Sequence, residues 1–348
     1  MTSERMREIL AGFPQATIAV VGDFFLDKYL ILDAALTEVS LETGLDAYQV
    51  VDKRLSPGAA GTVANNLSAL RVGRILAVSV IGDDGEGYEL KQGLAARGVD
   101  MTYLVESAEV FTPTYTKPML RDEQGQEREL NRLDIRNRRP LPEELEEAVL
   151  ANFAAALEQA DAVIVGDQVA ERELGVVNDR VREAICQSAR ERPDVIFFAD
   201  SRGNIALYRD VIIKPNKFEA ARACGYQGRE EDLSADDALR YGAELARRNR
   251  APVIVTAGAE GVIVFDEQGA THIPAVPVPP PVDIVGAGDS TTAGIVCALC
   301  AGATLREAAV VGNCVASITI QQIGTTGTAT PEQVAQQFDE HVELFAEF

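Results

Sequence analysis

Asp283-Ile284-Val285-Gly286-Ala287-Gly288-Asp289-Ser290 runs straight into an apolar segment that reads as a helix from Ser290 to Ala301. Two glycines flanking an alanine let the backbone turn tightly, so that consecutive N–H groups point at one spot. The helix brings the positive end of its dipole to the same spot. Asp289 then stands beside an anion-binding nest, where an idle carboxylate would repel the anion. A base acting next to a phosphate accounts for it economically. An ordinary glycine turn with an acidic residue near a helix start accounts for it too. The octapeptide leaves both readings open.

Working outward, helix and strand patterns alternate. Helices are predicted over Glu143–Ala160, Asn178–Glu191, Lys217–Gly225 and Ala235–Arg248. Strands are predicted over Ala162–Val165, Val195–Ala199, Val211–Ile213 and Pro252–Thr256. This pattern implies an α/β fold, a mostly parallel sheet with helices on both faces. Val262–Phe265 reads as an antiparallel partner. Pro274–Pro281 is too proline-rich for a central strand and reads as an extended lead-in to the octapeptide. Leu305–Ile320 is apolar nearly all round, as a buried helix is.

Nearer the start, Met6–Ala11 reads as a short helix. The strand Thr17–Gly22 then ends in Gly22-Asp23-Phe24-Phe25-Leu26-Asp27. Ligands of open α/β sheets bind beyond the carboxyl ends of strands, which makes Asp23 a candidate reader of polar substrate groups. Asp27 reads as a surface charge. Small residues from Ser56 to Leu70 permit close backbone approach at a helix start. Arg74–Ile81 and Glu86–Arg97 form a further strand and helix.

Residues 31–55 and 109–135 differ in character. Short alternating runs such as Ala47–Val51, and a hairpin across Asp122–Gly125, predict a small β lid. The α/β core is left to residues 1–30, 56–108 and 136–348. Lys117, Arg121, Arg128, Arg132, Arg136, Arg138 and Arg139 cluster in and after the lid. Solvated edge charge and a local anion site explain them equally well.

The 348 residues carry a net charge of −22 and are 47% apolar. So acidic a surface argues against nucleic acid as a partner, and no segment is long and apolar enough to span a membrane. The first twelve residues lack a signal-peptide core, so a cytoplasmic protein is expected. Five scattered cysteines suit no disulfide framework, and Cys297 and Cys300 read as core residues of a helix. His272 and His341 are the only histidines and stand in no triad pattern, which favours a carboxylate base.

Taken in order, these stretches resemble the ribokinase-like (PfkB) carbohydrate kinases, from Val20 to about Pro331. Asp283–Asp289 is similar to the family's D-x-x-G-A-G-D signature. Gly58 onward and Val80–Gly85 resemble a second motif, Lys214-Pro215-Asn216-Lys217-Phe218-Glu219 an N-x-x-E element, and Val255–Gly258 a nucleotide-side turn. Gly22–Tyr29, Pro113–Lys117, Arg132–Asp134 and Asp200–Gly203 resemble the kinase domain that phosphorylates heptose 7-phosphate. The chain departs from the family at Gly58-Ala59, where paired glycine is usual, and at Thr62, where asparagine is usual. It departs again at Gly166–Ala170. All three departures lie on the acceptor side.

The resemblance implies a ribokinase-like fold and ATP-dependent phosphorylation of a sugar or sugar phosphate. Asp289 is then the base. Gly286 opens a nest in which the N–H groups of Ala287, Gly288 and Asp289 hold the transferring phosphoryl group. Asn216 and Glu219, three apart at a helix start, hold Mg²⁺ largely through water. Lys214, Asn216, Thr256, Gly258 and Gly261 line the nucleotide, with Asn313 nearby. Asp23, Gly58, Ala59, Thr62, Asn66 and Lys53 are acceptor-side candidates. K⁺ is expected near Asp283 and the Gly324–Thr328 loop, and a homodimer through the lid. The matched length leaves no room for the nucleotidyltransferase module sometimes fused to such kinases. A nucleoside or other small-molecule kinase of the same fold and a non-catalytic sugar-binding regulator are the competing readings. A nicotinamide dehydrogenase and a P-loop enzyme are disfavoured, because neither G-x-G-x-x-G after the first strand nor G-x-x-x-x-G-K-[ST] occurs.

Overall fold

Unbroken apolar runs mark strands covered on both faces, and here they assemble the larger of two sheets. The computed structural model describes residues 1–348, the side chain of Ala235 excepted. The chain begins with α1 (Ser3–Gly12), β1 (Thr17–Gly22), β2 (Phe24–Val39), β3 (Asp46–Ala59) and α2 (Ala60–Ala69). Next come β4 (Arg74–Gly82), α3 (Gly85–Ala96), β5 (Leu104–Ser107), β6 (Thr114–Arg121), β7 (Glu127–Glu129) and β8 (Leu133–Ile135). The alternating half follows with α4 (Glu143–Leu157), β9 (Ala162–Asp167), α5 (Asp179–Glu191), β10 (Ile196–Ser201), β11 (Ile212–Ile213) and α6 (Lys217–Ala223). It closes with α7 (Ala235–Asn249), β12 (Val253–Thr256), β13 (Val262–Asp266), β14 (Gly269–Ile273), α8 (Ala287–Cys300), α9 (Leu305–Thr319) and α10 (Pro331–Glu340).

The main sheet has nine strands in the order β14-β13-β12-β11-β10-β9-β1-β4-β5. All its pairings are parallel except β12–β13 and β13–β14. One hydrophobic core packs α1, α2, α8, α9 and α10 on one face. A second packs α4, α5, α6 and α7 on the other. The α/β architecture expected from alternation is therefore the observed one. Cys297 is buried and unbridged within α8, as a core residue is.

The lid sheet runs β3-β2-β6-β7, with β8 also paired to β6. Short runs were expected across Tyr29–Leu55. The chain instead forms two long antiparallel strands of 16 and 14 residues. Register shifts after Ile31 and Asp33 absorb the polar interruptions without ending the ladder.

The passage from main sheet to lid depends on Gly22. Its φ of +143° favours glycine, and a Cβ there would collide with the Gly166 carbonyl on β9. The ends of β1, β9 and β10 lie in register, Gly22 beside Gly166 and Gly166 beside Asp200, next to lid residues Phe25 and Tyr115. Among the described residues no helix is long and apolar enough to cross a membrane.

Candidate active site

Gly286 caps α8 at φ +81°, so the helix begins at Ala287, three residues before the predicted start. The Ala287 N–H donates to the Ile284 carbonyl at 3.1 Å and closes the turn. That overturns the three-donor nest. Among the described residues, the N–H groups of Gly288 and Asp289 are the first-turn donors left for an anion.

Lys214 follows β11 and is 2% exposed. Its Nζ lies 2.8 Å from Asp200 Oδ2, at the end of β10. A Cβ on Gly288 would stand 3.5 Å from that Nζ, so the ammonium sits directly under the nest. Burial pulls the lysine pKa down, but Asp200, Glu219 and Asp289 outweigh it and hold it raised. The Thr292 hydroxyl donates to Asp200 Oδ2 at 3.3 Å and fixes the carboxylate.

Asp289 is half-buried beside this pair. Burial first, then the charge of Asp200, pushes its pKa up to about 7, while Lys214 and Arg202 oppose the rise. A carboxylate tuned to that range is suited to general-base work at neutral pH.

Asn216 and Glu219 form a reciprocal cap on α6. The Glu219 N–H donates to Asn216 Oδ1 and the Asn216 N–H to Glu219 Oε2, each at 2.8 Å. That leaves Glu219 Oε1 open. Burial, then Asp200, raises the Glu219 pKa to about 7. Among the described residues no three acidic, histidine or cysteine side chains converge as a metal cage. One free carboxylate oxygen near a second carboxylate fits Mg²⁺ that keeps waters and substrate phosphates as its other ligands.

A mostly parallel sheet, a carboxylate of raised pKa at a helix start and a lysine below it now stand together. The profile described as "pfkB family carbohydrate kinase" matches residues 29–333. The chain belongs to the pfkB family of carbohydrate kinases. It is an ATP-dependent phosphotransferase of ribokinase-like fold.

Among curated relatives, bifunctional protein HldE of Geotalea uraniireducens is 32% identical over 337 residues, covering 95% of this chain and 64% of the relative. HldE of Nitratiruptor sp. is 30% identical over 321 residues, covering 92% of this chain and 64% of the relative. The chain thus spans just under two thirds of these bifunctional proteins. Among solved structures, Arabidopsis thaliana ribokinase with ribose and ATP superposes with TM-score 0.66 at 19% identity, covering 92% of this chain and 98% of that one. Escherichia coli phosphofructokinase-2 with potassium gives TM-score 0.69 at 18% identity, covering 93% and 98%.

The acceptor side of this pfkB kinase differs from expectation. Asp23 borders the cavity described below, but its carboxylate is already engaged. Its oxygens accept backbone N–H groups from Gln168, Val169 and Val176, and it is 3% exposed. Asp27, expected to be a surface charge, faces inward instead. Its Oδ1 lies 3.5 Å from Lys117 Nζ, its charge acts on Asp289, and a Cβ on Gly58 would collide with its Oδ2. Gly58 is therefore needed for close approach.

Ala59 takes φ +54°, the left-handed region where paired glycine would be unstrained. Thr62 presents its methyl group to Gly286. Asn66 is wholly enclosed and donates to the Thr62 carbonyl at 3.0 Å, which places it behind the site rather than in it. Lys53 lies exposed on β3, on the lid.

On the nucleotide side, Thr256 ends β12 and its N–H donates to the Pro215 carbonyl at 3.0 Å. Gly258 and Gly261 hold the following turn at φ +60° and +95°. Asn313 donates from Nδ2 to the carbonyls of Ile273 (3.2 Å) and Pro274 (2.9 Å), so it anchors the proline-rich lead-in. Asp283 accepts from the N–H groups of Val285 (3.1 Å) and Gly324 (3.0 Å), which brings it against the 324–328 loop.

A cavity of about 200 Å³ opens between Gln168–Val176, Arg136, Arg138 and Arg202. Arg136 bonds Tyr115 and Asp134, whereas Arg138 and Arg202 have no carboxylate within ion-pair distance among the described residues. Arg202 lines this cavity, and its charge also acts on Asp289. The strand-end argument applied to Asp23 could also have found Asp200 and Arg202 at β10, since both follow from the same rule.

Proposed function

We propose that the chain transfers the γ-phosphoryl group of ATP to a hydroxyl of a sugar phosphate of the heptose 7-phosphate kind. The observation that carries this reading is Asp289, held near neutral pKa beside two free N–H donors and the Lys214 ammonium. The acceptor hydroxyl gives its proton to the Asp289 carboxylate as its oxygen attacks the γ-phosphorus, and the bond from that phosphorus to the β,γ-bridging oxygen breaks to release ADP. Lys214 and the Gly288 and Asp289 N–H groups stabilise the negative charge on the transferring group. Mg²⁺, held through Glu219 and water, would neutralise charge on the nucleotide phosphates. K⁺ beside Asp283 and the 324–328 loop would complete the turn that presents the nest. The five free cysteines suit a cytoplasmic setting.

Arg138 and Arg202 favour an acceptor that already carries a phosphate, and the HldE relatives point to the same class. The test is an ATP-consumption panel of heptose 7-phosphate, heptose, fructose 6-phosphate, ribose and adenosine. Heptose 7-phosphate is expected to exceed heptose in kcat/KM by about 10²-fold, the scale of one or two charge-assisted hydrogen bonds. Arg138→Ala should raise KM for heptose 7-phosphate about tenfold and leave that for heptose unchanged. Preference for heptose or adenosine would refute the reading.

The lid is proposed to pair two subunits, because Leu36, Val39, Leu41 and Leu45 cluster exposed at its far end. Light scattering should give a dimer for the wild type and a monomer for Val39→Asp with Leu45→Asp. A wild-type monomer at micromolar concentration would rule this out.

A further inference from the structure

Asp23 sits where β1 passes into β2, and each of its polar groups is taken by the acceptor side. Its N–H donates to the Gly166 carbonyl on β9, and its carbonyl accepts from the Ala60 N–H at the start of α2, both at 3.0 Å. Carboxylate Oδ2 accepts from the N–H groups of Gln168 (2.9 Å) and Val169 (3.1 Å). Oδ1 accepts from the Val176 N–H at 2.7 Å. Gly175 lies under the carboxylate, where a Cβ would come within 3.0 and 3.1 Å of the two oxygens.

Between β9 and α5 the chain has no helix or strand, so Gln168–Val176 lacks a ladder to hold its shape. This loop is one wall of the cavity beside Arg138 and Arg202. Asp23 grips it at both ends. Among the described residues no cation pairs with Asp23. The charged group facing it is Asp167, itself 3.6 Å from Arg182 and bonded by Ser201 and Tyr208. A buried carboxylate without a counter-ion is costly unless its hydrogen bonds are needed. A residue with only packing to do at this strand end would carry no charge.

We propose that Asp23 is a positioning residue: by clasping Gln168 and Val169 at one end and Val176 at the other, it holds the loop as the wall of the acceptor pocket. It sets acceptor affinity through the loop, its own oxygens being taken by the three N–H groups. This rests on reading the cavity as the acceptor site.

Asp23→Asn keeps the size but turns one oxygen into an NH₂ group that faces N–H donors, so one end of the clasp is lost. Amide hydrogen exchange at Gln168, Val169 or Val176 should accelerate at least about tenfold, while β1 and β9 stay protected. KM for heptose 7-phosphate should rise about tenfold, with KM for ATP and kcat within about threefold of wild type. Gly175→Ala presses on the same carboxylate from the loop side and should give the same split. The double variant should be no worse than the more affected single one, as coupled neighbours are.

Unchanged exchange at the three amides in both variants overturns the clasp. A rise in KM for ATP equal to that for heptose 7-phosphate overturns it too, since general loosening would do that. Faster exchange with an unmoved KM for heptose 7-phosphate overturns the cavity as the acceptor site. The exchange measurement needs no acceptor, so the two failures are distinguishable.

Discussion

Asp289→Asn is expected to lower kcat by about 10²–10⁴-fold, the usual contribution of a positioned general base. KM for ATP should stay near the wild-type value, because the N–H groups of Gly288 and Asp289 survive the change. The pH dependence adds a second signature. Asp289 acts only when ionised and its pKa is raised to about 7, so wild-type kcat/KM should fall about tenfold per pH unit below that value. In the Asn variant that limb disappears. Stability should move the other way. A carboxyl whose pKa is raised by folding stabilises the folded state only when protonated. Its ionised form is therefore a burden above pH 7, and the burden vanishes below the ordinary carboxylate range. Asp289→Asn should raise Tm at pH 8 and leave it unchanged near pH 3. Wild-type turnover, or a Tm that falls at pH 8, would remove Asp289 from the role of strained base.

Lys214→Met should be nearly as damaging to turnover and, unlike the loss of Asp289, damaging to the fold. The ammonium lies under the nest, where charge grows on the transferring phosphoryl group. Removing one such donor costs about 10²–10³-fold in kcat. It also leaves Asp200 buried beside Glu219 and Asp289 with its nearest cation gone. Breaking a buried ion pair from one side costs about 3–5 kcal/mol. Denaturant midpoints should therefore drop for Lys214→Met and recover in large part when Asp200→Asn is added, because the orphaned charge is then gone. Turnover should not recover with it. A double variant that regains activity would mean that Lys214 serves the fold alone.

The two variants separate what a chain shows locally from what it shows only when folded. The order of strands and helices was legible from Pro142 to Ile320 except for β14, and α10 was not foreseen; buried parallel strands are unbroken apolar runs and their helices have a period of their own. The turn at Gly286 was legible too. Gly286 takes a positive φ and Asp289 stands in the first turn of α8, both properties of neighbouring residues. The lid was legible as β structure but not as two long strands, since the register shifts that carry them past polar residues arise from pairing with distant partners.

Which of Asp23 and Asp27 gives its oxygens to backbone donors was not legible. Asp23 and Asp27 lie four residues apart around the crossing from one sheet to the other. The loop that claims Asp23 comes from residues 168–176, nearly one hundred and fifty positions on. Likewise Ala287 lost its place in the nest to a carbonyl three residues back, a matter of turn geometry that composition does not reveal. Sequence by itself thus determined the fold class and the family and singled out Asp289, because each rests on periodicity or on a contiguous motif. Only the tertiary structure decided the electrostatics: Lys214 against Asp200, the raised Asp289 and the arginine-lined cavity. Charges act through space, and the distances that set their strength exist only after the strand ends are brought side by side.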